Sequence, residues 1–328
     1  MLDNFDISND QSPQAVRASE QPDFSIAVPP RGYAWWYVDG VSDDGQSGLT
    51  IIAFIGSVFS PYYARARRGG DPNPENFVAF NTCLYGSKAK RWTMTERGRA
   101  SLRRTRDEFT VGPSTAFWSK NELAIAIDEI AVPLPRRVKG NVRVRPVCMP
   151  GRAFSLDHGN TQTWQPVAPM ARIEVRFSAP AISWDGHAYF DHNRGTMPLE
   201  SAFQCWDWSR QTAANTTRII YDVTERGGAK RHLSLQIDKN GAITPFPPPP
   251  RVALAASLWR IKRETRTDPG TKASLIDTLE DTPFYARSLL QTTCLGETAP
   301  SVHESLDLDR FNSRIVQSLL PFRMPRRA

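Results

Sequence analysis

Residues 139–146 read KGNVRVRP and residues 171–177 read ARIEVRF. In both, apolar and polar side chains alternate with a period of two, the mark of a strand with one buried face and one wet face. Upstream, LTIIAFIGSVF (49–59), NFVAFNTCLYG (76–86) and ELAIAIDEIAVPLP (122–135) are β-branched and aromatic runs; downstream, TTRIIYDV (216–223) and RHLSLQID (231–238) repeat the theme. Gly, Pro, Asn and Asp punctuate the gaps, so the chain reads as many short strands joined by turns, an all-β sandwich or barrel.

Helical patterns are scarce. PYYARARRGG (61–70) holds a short turn of helix. The best candidate is C-terminal, DLDRFNSRIVQSLLPF (307–322), where Leu308, Phe311, Ile315, Leu319 and Leu320 fall near helical spacing. Residues 1–25 are poor in aliphatics and rich in Asp, Ser and Gln, and read as a disordered tail. A loose internal echo follows: Trp36 precedes LTIIAF and Trp208 precedes RIIYDV. It divides the chain into two related β-domains, 26–155 and 156–328, with the four prolines at 247–250 as a stiff loop in the second.

The 328 residues carry a net charge of +7, with arginines crowded at 65–68, 97–106, 136–145 and the C-terminal MPRRA. No zinc finger, RNA-binding signature or basic helix accompanies them, so anionic lipid is the expected partner and nucleic acid is not. The longest near-apolar run, 49–59, is too short to span a bilayer, and the first 24 residues lack the apolar core of a signal peptide. Cys83, Cys148, Cys205 and Cys294 form no C-x-x-C pair and read as reduced thiols of an intracellular protein.

One segment concentrates proton-handling groups: WDGHAYFDHNRG (184–195). In an extended chain His187, Tyr189, Asp191 and Asn193 share one face, and Ala188, Phe190 and His192 the other. Three readings compete on these residues alone. The segment is an exposed strand ending in an Asn-Arg-Gly turn; or His187, Asp191 and His192 bind a metal, which no third histidine at a familiar spacing supports; or Asp191, desolvated in an apolar barrel, stays protonated and works as an acid.

Five stretches resemble the carotenoid 1,2-hydratases, also called hydroxyneurosporene synthases, of purple phototrophic bacteria: RGYAWWYVDGVSDDGQSGLTIIAFIGSVFSPYYARARR (31–68), LYGSKAKRWTMTERGR (84–99), WDGHAYFDHNRG (184–195), DTPFYARSLL (281–290) and VHESLDLDRFNSRIVQSLLPFRMP (302–325). The resemblance runs from about residue 30 to the C-terminus. It implies two lipocalin-like β-domains, association with the membrane, no redox cofactor, and addition of water across the terminal C1–C2 double bond of an acyclic carotenoid such as neurosporene or lycopene. Its functional residues are a Tyr-x-Asp pair, matched by Tyr189 and Asp191, and an upstream His-x-Trp pair. Trp164 matches the tryptophan, but Gln162 stands where the histidine is expected, leaving His158 or His187 as substitutes.

The chemistry asks for such residues. Protonating the alkene at C2 leaves a tertiary cation at C1, which water captures; no electrons move, so no nicotinamide or flavin is expected, and no dinucleotide or phosphate-loop motif is present. On the resemblance, Asp191 donates the proton, Tyr189 and Trp164 offer π-faces to the cation, and His187, Gln162 or Asn193 holds the water. Trp35, Trp36 and Tyr37 either line a polyene channel or pack. His303-Glu304 reads either as an acid–base pair or as a surface pair at a helix N-terminus, and His232 as solvent-facing. Leu319, Leu320 and Phe322 beside the basic 65–68 and 323–327 clusters suit peripheral contact with the cytoplasmic side of the inner or photosynthetic membrane. A non-catalytic carotenoid carrier of the same fold is the alternative.

Overall fold

The computed structural model describes residues 15–86 and 90–327. Its architecture is mainly β, as expected: among the described residues there are two large sheets, antiparallel except where Arg326–Arg327 runs parallel to Glu96–Arg97, a two-stranded ribbon of Arg251–Ala253 and Glu264–Arg266, and a short helical C-terminal segment. The first sheet has fifteen strands among the described residues. Its centre is the run Val78–Tyr85, Gly48–Ile55, Tyr33–Ser42, Ala181–Gly195, Gln162–Ala179, Arg137–Cys148 and Glu122–Ile130, each hydrogen-bonded to the next. The sheet curls until Phe80 and Phe109, far apart in strand order, meet at 5.7 Å. The second sheet has seven strands, with Thr216–Glu225, Phe203–Thr212, Glu297–Asp307 and Tyr285–Cys294 at its heart.

Alternation decides which side chain enters which core. On Tyr33–Ser42, Ala34, Trp36 and Val38 point into the curl of the first sheet and pack with Phe109, Ile125, Val142 and Phe190. Tyr33, Trp35 and Tyr37 point the other way, into a second core shared with Trp206, Trp208, Tyr221 and Leu306 of the second sheet. Both faces of this strand are buried, so it reads as an unbroken aromatic run and not as an alternating one.

Three sequence expectations change. The disordered tail does not extend to residue 25: Ala15–Arg17 pairs with Arg152–Ser155, and Phe24 is fully buried with its ring 5.0 Å from that of Trp36. One aromatic plugging the curl outweighs a polar neighbourhood; residues 1–14 lie outside the described residues. The division at 155/156 falls inside the first sheet, because the long hairpin Gln162–Ala179 and Ala181–Gly195 belongs there. The segment 184–195 is therefore a first-sheet strand facing the second sheet. The C-terminal helix is broken. Asp307 caps Leu308–Asn312 by accepting from the Arg310 amide, Ser313 is extended (φ −60°, ψ 132°), and Arg314–Leu319 starts again. The break shifts the helical phase, so Ile315 faces solvent and Val316 the interior.

The short helix Pro61–Arg68 forms as its sequence suggests, with proline in its first turn and the Ser60 hydroxyl accepting from the Tyr63 amide. The four cysteines are unpaired, three of them buried.

Candidate active site

Burial switches on along the Ala181–Gly195 strand at Ala188: residues before it alternate with solvent, and from Ala188 to Asn193 both faces are covered. Tyr189, Asp191 and Asn193 enter the core between the sheets, as their shared parity requires. The facing strand Gln162–Ala179 sets Trp164 opposite Asn193.

Asp191 is 3% exposed. Its Oδ2 accepts from the Tyr189 hydroxyl at 2.8 Å and from Trp164 Nε1–H at 2.9 Å, while Asn193 Nδ2 lies 3.3 Å from Oδ1. All three donors are uncharged. Burial pushes the Asp191 carboxyl up to about 8; the Tyr189 and Trp164 hydrogen bonds pull against this, and the carboxyls of Glu304 and Asp39 add to it. Burial thus favours the neutral carboxylic acid form of Asp191.

A small chamber of about 30 Å³ touches Asp191. Trp35, Tyr37, Trp206, Trp208 and Tyr221 wall it, with Asn193 and Glu304. Trp35, Tyr37, Trp206 and Glu304 also line a larger, mainly apolar cavity of about 360 Å³. The larger cavity runs outward past Phe54, Phe59 and Phe284 to Val316, Leu319 and Leu320 of the C-terminal segment. Its rim is apolar and exposed: Trp259 and Leu319 line it, and Leu258, Ile315 and Phe322 stand beside them at 90, 73 and 79% exposure. The arrangement takes one end of a long apolar molecule and brings it to a neutral carboxylic acid among π-faces.

A buried ionic network lies beside the chamber. Asp39 Oδ1 accepts from Arg210 Nη2 at 2.5 Å, and its Oδ2 from Arg287 Nη2 at 3.1 Å and from the Tyr37 hydroxyl at 2.9 Å. Arg287 Nη1 donates to Glu304 Oε1 at 2.6 Å, and the Tyr37 hydroxyl is 3.3 Å from the same oxygen. Two guanidiniums meet two carboxyls, and Arg210 also lies over the Tyr189 ring at 5.1 Å.

The structure redistributes the expected roles. Tyr189 and Trp164 are fully buried and hold Asp191; the π-faces on the chamber belong to Trp35, Tyr37, Trp206, Trp208 and Tyr221. Gln162 is buried on the same face as Trp164, one step beyond the chamber, where its Oε1 accepts from the Tyr33 hydroxyl at 2.5 Å. Gly195 must be glycine for this contact, since a Cβ there would meet Gln162 Oε1 at 2.4 Å. His187 shares the parity of Asp191 but lies before burial begins; it is exposed, near Arg172 and Asp43. His158 is exposed and paired with Glu225. Neither reaches the chamber. His192 lies on the opposite face, stacked on Trp36 at 5.0 Å, with burial pushing its imidazole down to about 3. His187, Asp191 and His192 therefore do not converge on a common point. Trp36 packs in the first core, whereas Trp35 and Tyr37 line the cavity.

Sequence reasoning weighed Glu304 only as half of a His303-Glu304 pair, and it missed Arg287, Asp39 and Arg210. The surface reading of His303-Glu304 is corrected: both lie in the strand Glu297–Asp307, and His303 is fully buried. Val302 and Leu306 mark one face of this strand, but Glu304 interrupts the apolar alternation between them, so no local pattern marks it as buried.

The carotenoid hydratase CrtC family matches residues 51–328. The chain is 53% identical over 306 residues to the acyclic carotenoid 1,2-hydratase of Thiocapsa roseopersicina, covering 93% of this chain and 76% of that protein. It is 51% identical over 310 residues to the enzyme of the same name from Rubrivivax gelatinosus, covering 94% and 76%. A crystal structure assigned as AttH from Nitrosomonas europaea shares the fold, with a TM-score of 0.58 at 13% identity over 88% of this chain and 97% of that one. With that family match and two relatives above half identity, this chain belongs to the carotenoid hydratase family.

Proposed function

We propose that the chain adds water across the terminal C1–C2 double bond of an acyclic carotenoid, with Asp191 as the acid. Acyclic carotenoid 1,2-hydratase is the name its relatives carry, and the reaction is that of a hydro-lyase. The observation that carries the reading is a carboxylic acid kept neutral at the inner end of an apolar cavity.

The polyene end enters past the C-terminal segment and lays C1 and C2 against the chamber. Asp191 passes its proton to C2, and the electrons of the double bond form the new C–H bond. The tertiary cation left at C1 sits among the chamber's aromatic faces, each worth about 2 kcal/mol when desolvated. Water then bonds to C1. A general acid contributes about 10²–10⁴ in rate, so the preorganised surround of Asp191 carries the rest. Tyr189 and Trp164 fix the carboxyl so that its proton rests on Oδ1.

The reading extends to the bilayer that dissolves the substrate. Leu258, Trp259, Ile315, Leu319 and Phe322 form an exposed apolar rim with Arg314 and Arg323 among them, a fit for peripheral contact with anionic lipid. Four unpaired thiols suit a reducing compartment, hence the cytoplasmic face of the inner or photosynthetic membrane.

Incubating the purified chain with lycopene in mixed micelles tests the function. Products heavier by one water per hydrated end support it. Lycopene recovered bound and unchanged supports a carrier instead.

A further inference from the structure

Two carboxyls, Asp191 and Glu304, line the same small chamber, and the reaction proposed above needs two opposite proton transfers. One group must give a proton to carbon. Another must take one from the water that captures the cation. Paired titratable groups whose surroundings differ in this way divide the acid and base roles between them.

Their surroundings differ by charge. Among the described residues, Asp191 receives side-chain hydrogen bonds only from Tyr189, Trp164 and Asn193. Glu304 is bound at 2.6 Å by the Arg287 guanidinium, which stays charged at any working pH. Counting the network, Arg210 and Arg287 are balanced when Asp39 and Glu304 are both carboxylates. Protonating Glu304 leaves one buried guanidinium in excess; ionising Asp191 adds a buried anion with no cation of its own.

Position agrees. Glu304 is among the few residues lining both the chamber and the wide apolar cavity, so it stands where the polyene end meets the chamber. Arg287 donates to its Oε1 and Tyr285 also hydrogen-bonds the carboxyl, while the Tyr37 hydroxyl, 3.3 Å from Oε1, is committed to Asp39; a lone pair of Oε2 is left for a water. At about 30 Å³ the chamber has room for one water. That water would find donors as well: the indole N–H groups of Trp206 and Trp208, which wall the chamber, are buried with no partner among the described residues.

Resting on the hydratase reading, we propose that Glu304 is the catalytic base that holds the attacking water in the chamber, with a single indole N–H, that of Trp206 or Trp208, as its donor so that the second lone pair of the water faces C1. The water oxygen bonds to C1 as Asp191's former proton stays on C2. The resulting oxonium gives one O–H proton to Glu304 Oε2, releasing the tertiary alcohol. Glu304 then carries the proton that Asp191 lacks, and transfer through chamber water restores both groups. The groups facing Glu304 are Arg287 and Tyr285 on its neighbouring strand, Tyr37 and Asp39 on Tyr33–Ser42, Asp191, and Glu280 on Ser274–Asp281. Burial raises the Glu304 carboxyl above its ordinary range while Arg287 draws it back, which gives it the proton affinity a base requires.

The test separates the two proton transfers. Wild type, Glu304→Gln and Asp191→Asn are incubated with lycopene in deuterium oxide, and both hydrated product and deuterium in recovered lycopene are measured by mass spectrometry. Glu304→Gln is expected to lose at least 100-fold in hydration. It should still place deuterium at C2, because a cation formed without capture loses a proton and returns to alkene. Asp191→Asn should lose both. Hydration by Glu304→Gln within tenfold of wild type overturns the proposal, and so does loss of exchange together with hydration in a variant that still binds lycopene. If Glu304→Gln fails to fold around an unbalanced Arg287, the double variant R287M/E304Q is read in the same way. A wild-type chain that neither hydrates nor exchanges lycopene refutes the hydratase reading itself, and this proposal with it.

Discussion

Asp191 and Glu304 share one chamber, but only Glu304 touches a guanidinium, Arg287 Nη1 at 2.6 Å. Asp191 favours its protonated form because burial desolvates the carboxyl and every donor around it is neutral. The fold creates this difference. Asp191 comes from the first sheet and Glu304 from the second, each delivered by strand parity to the core between them.

The first consequence is a pH limit. The active form of Asp191 is protonated, and its carboxyl is pushed up to about 8. Turnover at saturating carotenoid should fall as pH rises through this value, tenfold per unit beyond, and fall again at low pH where Glu304 takes up a proton. Single-turnover rates between pH 6 and 9.5 check this. A rate that climbs with pH across 8 contradicts an acid role.

The second is a stability effect. Unfolded, the Asp191 carboxyl ionises near its ordinary 3.8; folded, near 8. Its favourable contribution is complete below pH 4 and is lost as pH rises between these values, by about 1.4 kcal/mol per unit. Asp191→Asn keeps an acceptor for Tyr189 and Trp164 but cannot ionise. It should be more stable than wild type at pH 7, by a margin that shrinks toward pH 4. Denaturant melts of both chains at pH 4.5 and 7 measure the difference; equal margins at the two values contradict the assignment.

Much of this was legible in the sequence, and the gaps have physical causes. The alternation in 139–146 and 171–177 fixes strands, and the parity of 184–195 correctly puts Tyr189, Asp191 and Asn193 on one face. Parity cannot say where along a strand burial begins, so His187 looked equivalent to Asp191 although solvent reaches it. Nor does it mark where a sheet ends, and the hairpin 162–195 was assigned to the wrong half. The Asp39, Arg210, Arg287 and Glu304 network is assembled by contacts across 171 and 248 positions, which no local pattern displays. Several arginines that read as a basic surface are spent in pairs, among them Arg67 with Glu200 and Arg97 with Glu129.

Gln162 was expected to hold water, and its place beyond the chamber assigns it a different task. It accepts the Tyr33 hydroxyl, whose ring stacks on Trp35 at 4.9 Å. Gln162→His retains an acceptor and should hydrate within tenfold of wild type. Gln162→Leu leaves the buried phenol unpaired and should cost about 1–3 kcal/mol of stability. Melts and rates on both variants decide it; a 100-fold rate loss in Gln162→Leu at unchanged stability would place Gln162 in the chemistry.

The rim can be separated from the chamber. Ile315→Ser with Phe322→Ser removes exposed apolar surface without touching the acid or the cavity lining. Flotation with anionic liposomes should show binding reduced about tenfold or more, since each large apolar side chain inserted contributes about 1.5–3 kcal/mol. Turnover with micellar lycopene should stay within a few-fold. Unchanged flotation would remove the rim from the membrane contact.

The most direct measurement is product analysis of lycopene-accumulating cells that express the wild-type chain or Asp191→Asn at equal levels of folded protein. The account predicts mono- or dihydroxylated carotenoid in the first and lycopene alone in the second. Hydrated product from Asp191→Asn at a near wild-type rate would contradict it.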